Sequence, residues 1–107
     1  MMVALFFLAP IAGLARQQAL VCAKMIMPLG WSKAYQVDAT IVTGLELGQA
    51  TGNFTRYQPI ATYVVIAWEK DDVSLIQMAV PQLGPLPTRG TDQLGRRWSV
   101  STQSVCF

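Results

Sequence analysis

The chain has 107 residues and no histidine, which excludes Ser-His-Asp and Cys-His nucleophile activation together with every histidine metal site. Eight Lys and Arg face six Asp and Glu, and a net charge of +2 gives no electrostatic case for nucleic acid as a partner. Two cysteines without CxxC spacing do not make a zinc site, so no cofactor or metal is expected.

Residues 1–15 carry no charged side chain, and the run Val3, Ala4, Leu5, Phe6, Phe7, Leu8, Ala9 has the length and composition of a secretory h-region. At about 1.5 Å rise per residue such a segment falls short of a ~30 Å hydrocarbon core, and Pro10 and Gly13 weaken it further as a helix. Export is therefore favoured over a stable span. No Lys or Arg precedes the run, so two readings stay open: a signal peptide whose basic n-region lies upstream of Met1, or a retained anchor or docking helix.

Ala15 and Ala23 both satisfy the small-residue rule for cleavage. A cut after Ala15 keeps Cys22 and Cys106, a pair that can bridge in an oxidising compartment, whereas a cut after Ala23 leaves Cys106 alone. Closing so long a loop stabilises by about 4 to 5 kcal/mol on loop-entropy grounds; two unpaired thiols are the other reading. The expected organisation is an apolar N-terminal segment over 1–23 and one small β domain over 24–107. Residues 24–107 contain only 13 charged side chains in 84, a charge-poor surface that suits a protein resting against another protein.

Within that domain, residues 35–41 alternate apolar and polar side chains and predict a strand with one buried face. Thr43 and Gly44 end it, and Gly48, Gly52 and Asn53 mark a loop; the four-residue spacing of Gly44, Gly48 and Gly52 is read as loop chemistry. Residues 54–57 predict a short strand before Pro59. Residues 62–68 and 73–80 are β-branched and aromatic runs on either side of Glu69, Lys70, Asp71 and Asp72, and together predict a hairpin.

A three-residue turn would place Ile66 opposite Ile76 and Val64 opposite Met78, whereas a two-residue turn would shift the register and swap the facing partners. Trp68, Ile66, Val64, Ile76, Met78 and Val80 fall on one face, and Tyr63, Val65, Ala67 and Leu75 on the other. With both faces apolar, the second should be covered by the N-terminal helix or by a partner.

Three prolines within residues 81–87 favour an extended, polyproline-like connection. Residues 88–96 read as paired turns, after which Trp98, Val100 and Thr102 alternate with polar neighbours in a last strand. The predicted fold is mainly β, a small antiparallel barrel or half-closed sandwich of about five strands.

Glu69, Asp71 and Asp72 resemble a carboxylate cluster, but a hairpin tip makes them solvated turn residues. Arg89, Arg96 and Arg97 beside Trp98, and Arg56 beside Tyr57, suggest a stacking surface; the simpler account makes Trp98 a core anchor and the arginines turn and edge charges. Asn53 begins a glycosylation sequon in a predicted loop.

The first functional expectation is a non-enzymatic interaction or structural module, secreted or periplasmic. It would bind protein through the apolar hairpin face and a surface made of Pro81, Leu83, Pro85, Leu86, Pro87, Arg96 and Arg97. The alternative is a small subunit of a membrane complex, anchored through residues 1–15. A hydrolase using Glu69, Asp71 or Asp72 is the weakest reading, kept only because carboxylate enzymes need no histidine.

Overall fold

β1 (Gln17–Met27) hydrogen-bonds on both edges, and this closes the molecule. The computed structural model describes residues 17–69, 71–103, 105 and 106; the expectations for residues 1–16 lie outside them. After β1 come β2 (Gly30–Trp31), β3 (Tyr35–Thr43), α1 (Gly44–Thr51), β4 (Thr62–Glu69), β5 (Asp72–Met78), β6 (Thr88–Thr91) and β7 (Arg97–Ser101). Each strand from β3 to β7 pairs with its neighbour in an antiparallel meander, and β1 bridges β3 and β7. Val21 faces Val37 on one side of β1, and Ala23 faces Val100 on the other. The result is a closed six-stranded barrel with β2 as an extra strand. Closure gives each of the six barrel strands a neighbour on both sides, which removes the long unpaired edge of an open sheet.

Alternation of side chains decides the core. Val21, Ala23, Ala39, Ile41, Val64, Ile66, Ile76, Met78, Trp98 and Val100 fill the interior. Each fully buried aliphatic among them contributes roughly 1.5 to 3 kcal/mol of burial free energy. Gly90 on β6 also faces inward. A Cβ there would lie 2.6 Å from the Ile76 side chain and 2.9 Å from Met78 Sδ, so the missing side chain is what lets those two pack.

The border expected at residues 23 and 24 falls inside β1, whose middle supplies Val21 and Ala23 to the core. Cys22 and Cys106 form a disulfide with Cα atoms 5.4 Å apart, tying β1 to the segment after β7. Among the described residues no helix is long and apolar enough to cross a membrane.

The β4–β5 hairpin takes the two-residue turn. Glu69 pairs with Asp72, Ala67 with Val73 and Val64 with Ile76, leaving Trp68 without a partner at a bulge. A two-residue turn alone would have reversed the faces. The bulged residue restores them, because the resulting register differs by two residues from that of the three-residue turn, and a strand repeats every two. Val64, Ile66, Ile76 and Met78 accordingly point inward.

Most of the other face is covered by the chain's own β3–β4 connection, with Ala67 left exposed. Val42, Tyr57 and Tyr63 form a second buried cluster, joined by Leu47, Ala61, Val65 and Leu75. The expected loop after Thr43 is instead α1, and no strand forms over 54–57. The helix starts there because Thr43 and Glu46 make a full capping box: Glu46 N–H donates to Thr43 Oγ1 at 3.2 Å, and Thr43 N–H to Glu46 Oε1 at 3.1 Å. Gly44 donates its N–H to the Ala61 carbonyl at 3.0 Å, and a Cβ at Gly44 would overlap the Gln58 carbonyl. Its lack of a side chain lets the returning segment close over the sheet.

Candidate functional site

One end of the barrel is built around a buried carboxylate. Asp92 follows β6, and its side chain is fully buried. Its Oδ1 accepts the N–H groups of Leu94 and Arg96, both at 2.9 Å. Its Oδ2 accepts Trp98 Nε1–H at 2.9 Å and Arg96 Nε–H at 2.7 Å. Burial alone would raise the carboxyl pKa, but the hydrogen bonds from Trp98, Arg96 and Leu94 outweigh it and hold Asp92 below its ordinary range. Gln93 pins the same loop to β5, its amide donating to the Val73 carbonyl at 2.6 Å and accepting Leu75 N–H at 2.8 Å.

Above Asp92 stand three aromatic rings. Trp98 is buried, and the half-buried Trp68 stacks on it with centroids 5.8 Å apart and planes at 22°. Trp68 reaches this position from the bulge and donates Nε1–H to Ser74 Oγ at 2.9 Å. Tyr35, at the start of β3, meets Trp68 edge-on at 5.3 Å. The rings, with Met25, Ser74, Glu69, Asp72 and Arg96, line an open cavity of about 450 Å³. Both indole N–H groups are satisfied within the fold and Arg96 commits its Nε to Asp92, while the carboxylates of Glu69 and Asp72 stand exposed at the rim. Among the described residues no group of three or more His, Cys, Asp or Glu is arranged to hold a metal ion.

A second feature flanks this end. β1 runs past β3 and pairs with β2 as a ribbon, Ile26 opposite Trp31 and Met27 opposite Gly30. Ser32 fastens its base: Met25 N–H donates to Ser32 Oγ, and Ser32 N–H to the Met25 carbonyl, both at 2.9 Å. Leu29 at the tip is completely exposed, and Met27 and Trp31 are about half exposed. Lys24 Nζ lies 5.9 Å from the Trp31 ring centroid and the Arg89 guanidinium 5.6 Å from it. Lys24 and Arg89 both pair with Ser99, from β1 and β6, so the register places them on one outer face with the indole.

The residues expected to form one interaction surface are divided between the two ends of the barrel. Pro81, Leu83, Pro85, Leu86 and Pro87 lie in the β5–β6 connection, whereas Arg96 and Arg97 stand across the length of β6 at the β6–β7 loop. The proline-rich connection is fastened down: Thr62 Oγ1–H donates to the Pro81 carbonyl at 2.6 Å and Thr102 N–H to the Gly84 carbonyl at 2.9 Å. Leu83 packs on the core, while Leu86 is 76% exposed. Arg96 is committed to Asp92 by an ion pair, and Arg97 lies on β7 opposite Ile26 and Thr91. Trp98 is the core anchor that the simpler account assigned to it. Glu69, Asp71 and Asp72 are exposed at the hairpin tip, yet Glu69 and Asp72 also border the aromatic cavity, which their turn-like sequence did not reveal. No family model, no curated protein and no solved structure matches the chain.

Proposed function

We propose that the protein is a non-enzymatic binding module of an oxidising, extracytoplasmic compartment and that it engages another protein through the β1–β2 ribbon. The observation that carries this reading is the ribbon itself. Met27, Leu29 and Trp31 expose apolar surface on a pair of strands projecting from a barrel that is otherwise closed. Tryptophan and arginine are the side chains over-represented where binding energy concentrates, and here Trp31 stands beside Arg89 and Lys24. The Cys22–Cys106 disulfide supports the compartment, since such bonds persist where thiols are not kept reduced. The apolar hairpin face is a poorer docking surface than its sequence suggests, because α1 and Tyr57 already occupy much of it.

The reading is tested by placing a photo-activatable cross-linker at position 29 in the producing host, with position 86 at the opposite end as reference. A defined adduct from position 29 that is lost in Trp31→Ala, with none from position 86, is expected. Equal yields from both positions, or no adduct from either, would remove the ribbon as the docking element.

A further inference from the structure

We infer that the aromatic mouth of the barrel is a binding site for a small organic cation, whose ammonium group is held against Trp68 and Tyr35 with Glu69 and Asp72 as counter-ions. This site is separate from the ribbon and does not depend on the function proposed for it. The cavity, about 450 Å³, lies in the range that small ligands occupy. Its wall is made of Trp68 and Tyr35, whose π faces attract positive charge, while Met25 gives a soft apolar side. Lys33 Nζ sits 5.2 Å from the Tyr35 centroid, a like charge that the carboxylates of the mouth must outweigh for a ligand cation to enter.

The charge balance sets the sign of the ligand. Arg96 lines the cavity, but its guanidinium is paired with Asp92, so those two charges cancel. Lys33 offsets one further carboxylate. With Lys70 of the same turn counted beside Lys33, Glu69, Asp71 and Asp72 still outnumber the lysines by one charge. An anion would meet uncompensated carboxylates, and a neutral ligand would leave the two carboxylates unused. Because the indole N–H groups are bonded to Ser74 and Asp92, a ligand meets ring faces and carboxylates rather than indole donors. An ammonium on a compact apolar body satisfies both.

The test uses three probes that share one ring and differ in charge: phenethylammonium, 2-phenylethanol and phenylacetate. The readout is the indole Nε1–H signal of Trp68 in isotopically labelled, disulfide-intact protein, with Trp31 as an internal reference outside the mouth. Phenethylammonium is expected to shift Trp68 saturably and to bind at least about tenfold more tightly than 2-phenylethanol, with phenylacetate weaker still. The double variant Glu69→Gln, Asp72→Asn should lose about tenfold in affinity for phenethylammonium, with the other indole signals unchanged.

N-acetyl-lysine methylamide separates the sources of the cation. Binding as tight as that of phenethylammonium identifies a basic side chain of a peptide as the natural occupant; weaker binding identifies a free amine. Equal affinity for the neutral probe, unaltered affinity in the double variant, or no saturable shift up to roughly 10 mM phenethylammonium would overturn the inference.

Discussion

Trp98 donates its indole N–H to Asp92 Oδ2 at 2.9 Å, and this one bond joins the last strand of the barrel to the loop that precedes it. The same oxygen accepts Arg96 Nε–H, and the other carboxylate oxygen accepts two backbone N–H groups. Replacing Asp92 by Ala leaves a buried indole donor and two loop amides without their acceptor. The expected cost is about 2 to 4 kcal/mol, read as a lower denaturant midpoint.

Asp92 also predicts a pH dependence. Its folded pKa is depressed, so the contribution is fully present above the unfolded carboxylate value near ~3.9 and is lost as pH falls through the lower folded value. Urea midpoints measured from pH 6 downward should fall more steeply in the parent protein than in Asp92→Asn over that acid window. Parallel curves would show that Asp92 binds its proton equally in both states.

Gly44 and Gly84 make a matched pair. A Cβ at Gly44 would overlap the Gln58 carbonyl, whereas a Cβ at Gly84 would have nothing within 4 Å. Gly44→Ala should cost at least about 2 kcal/mol as the return segment is displaced, and Gly84→Ala should stay within roughly 0.5 kcal/mol of the parent. Thermal melts of the two variants side by side check this.

Trp68 is half-buried and stacked on Trp98, with its N–H bonded to Ser74. Trp68→Ala removes the stack and leaves the Ser74 hydroxyl without this partner, at a cost of about 3 kcal/mol. A midpoint unmoved by the change would show that the ring contributes nothing to the barrel end.

The strands that were readable from sequence are those where alternation and β-branched residues coincide. β3 shows its inward Val37, Ala39 and Ile41, and β4 and β5 show Val64, Ile66, Ile76 and Met78. Their faces were predicted correctly although the register was not, because the bulge at Trp68 offsets the tighter turn by one residue. β1 was hidden because Ala19 to Ala23, separated from the apolar segment over 1–15 only by Arg16, Gln17 and Gln18, reads as part of it. α1 was hidden by its glycines, yet the Thr43 and Glu46 spacing is a capping-box signature that announces a helix start.

The site was less legible than the fold. Met25, Tyr35, Trp68, Asp72 and Trp98 come from five strands, and only barrel closure brings them to one mouth. Nothing in the run around Asp92 distinguishes a buried hydrogen-bond hub from an ordinary turn aspartate. Trp31 carries no pattern of its own, and its prominence arises because β2 lies outside the barrel.

A disulfide-closed barrel working in an oxidising compartment has a decisive check in the intact mass of the protein from its own host. Cleavage after Ala15 keeps β1 whole, whereas cleavage after Ala23 would remove Val21, Cys22 and Ala23, three buried residues and half of the disulfide. The bond closes a loop with a sequence separation of 84 residues. Its loss should cost about 4 to 5 kcal/mol, a large share of what so small a domain has. A chain that keeps Cys22, as one beginning at Arg16 does, and that is two hydrogens lighter than its reduced form is expected. A chain that begins at Lys24, or one with both thiols free, would contradict it.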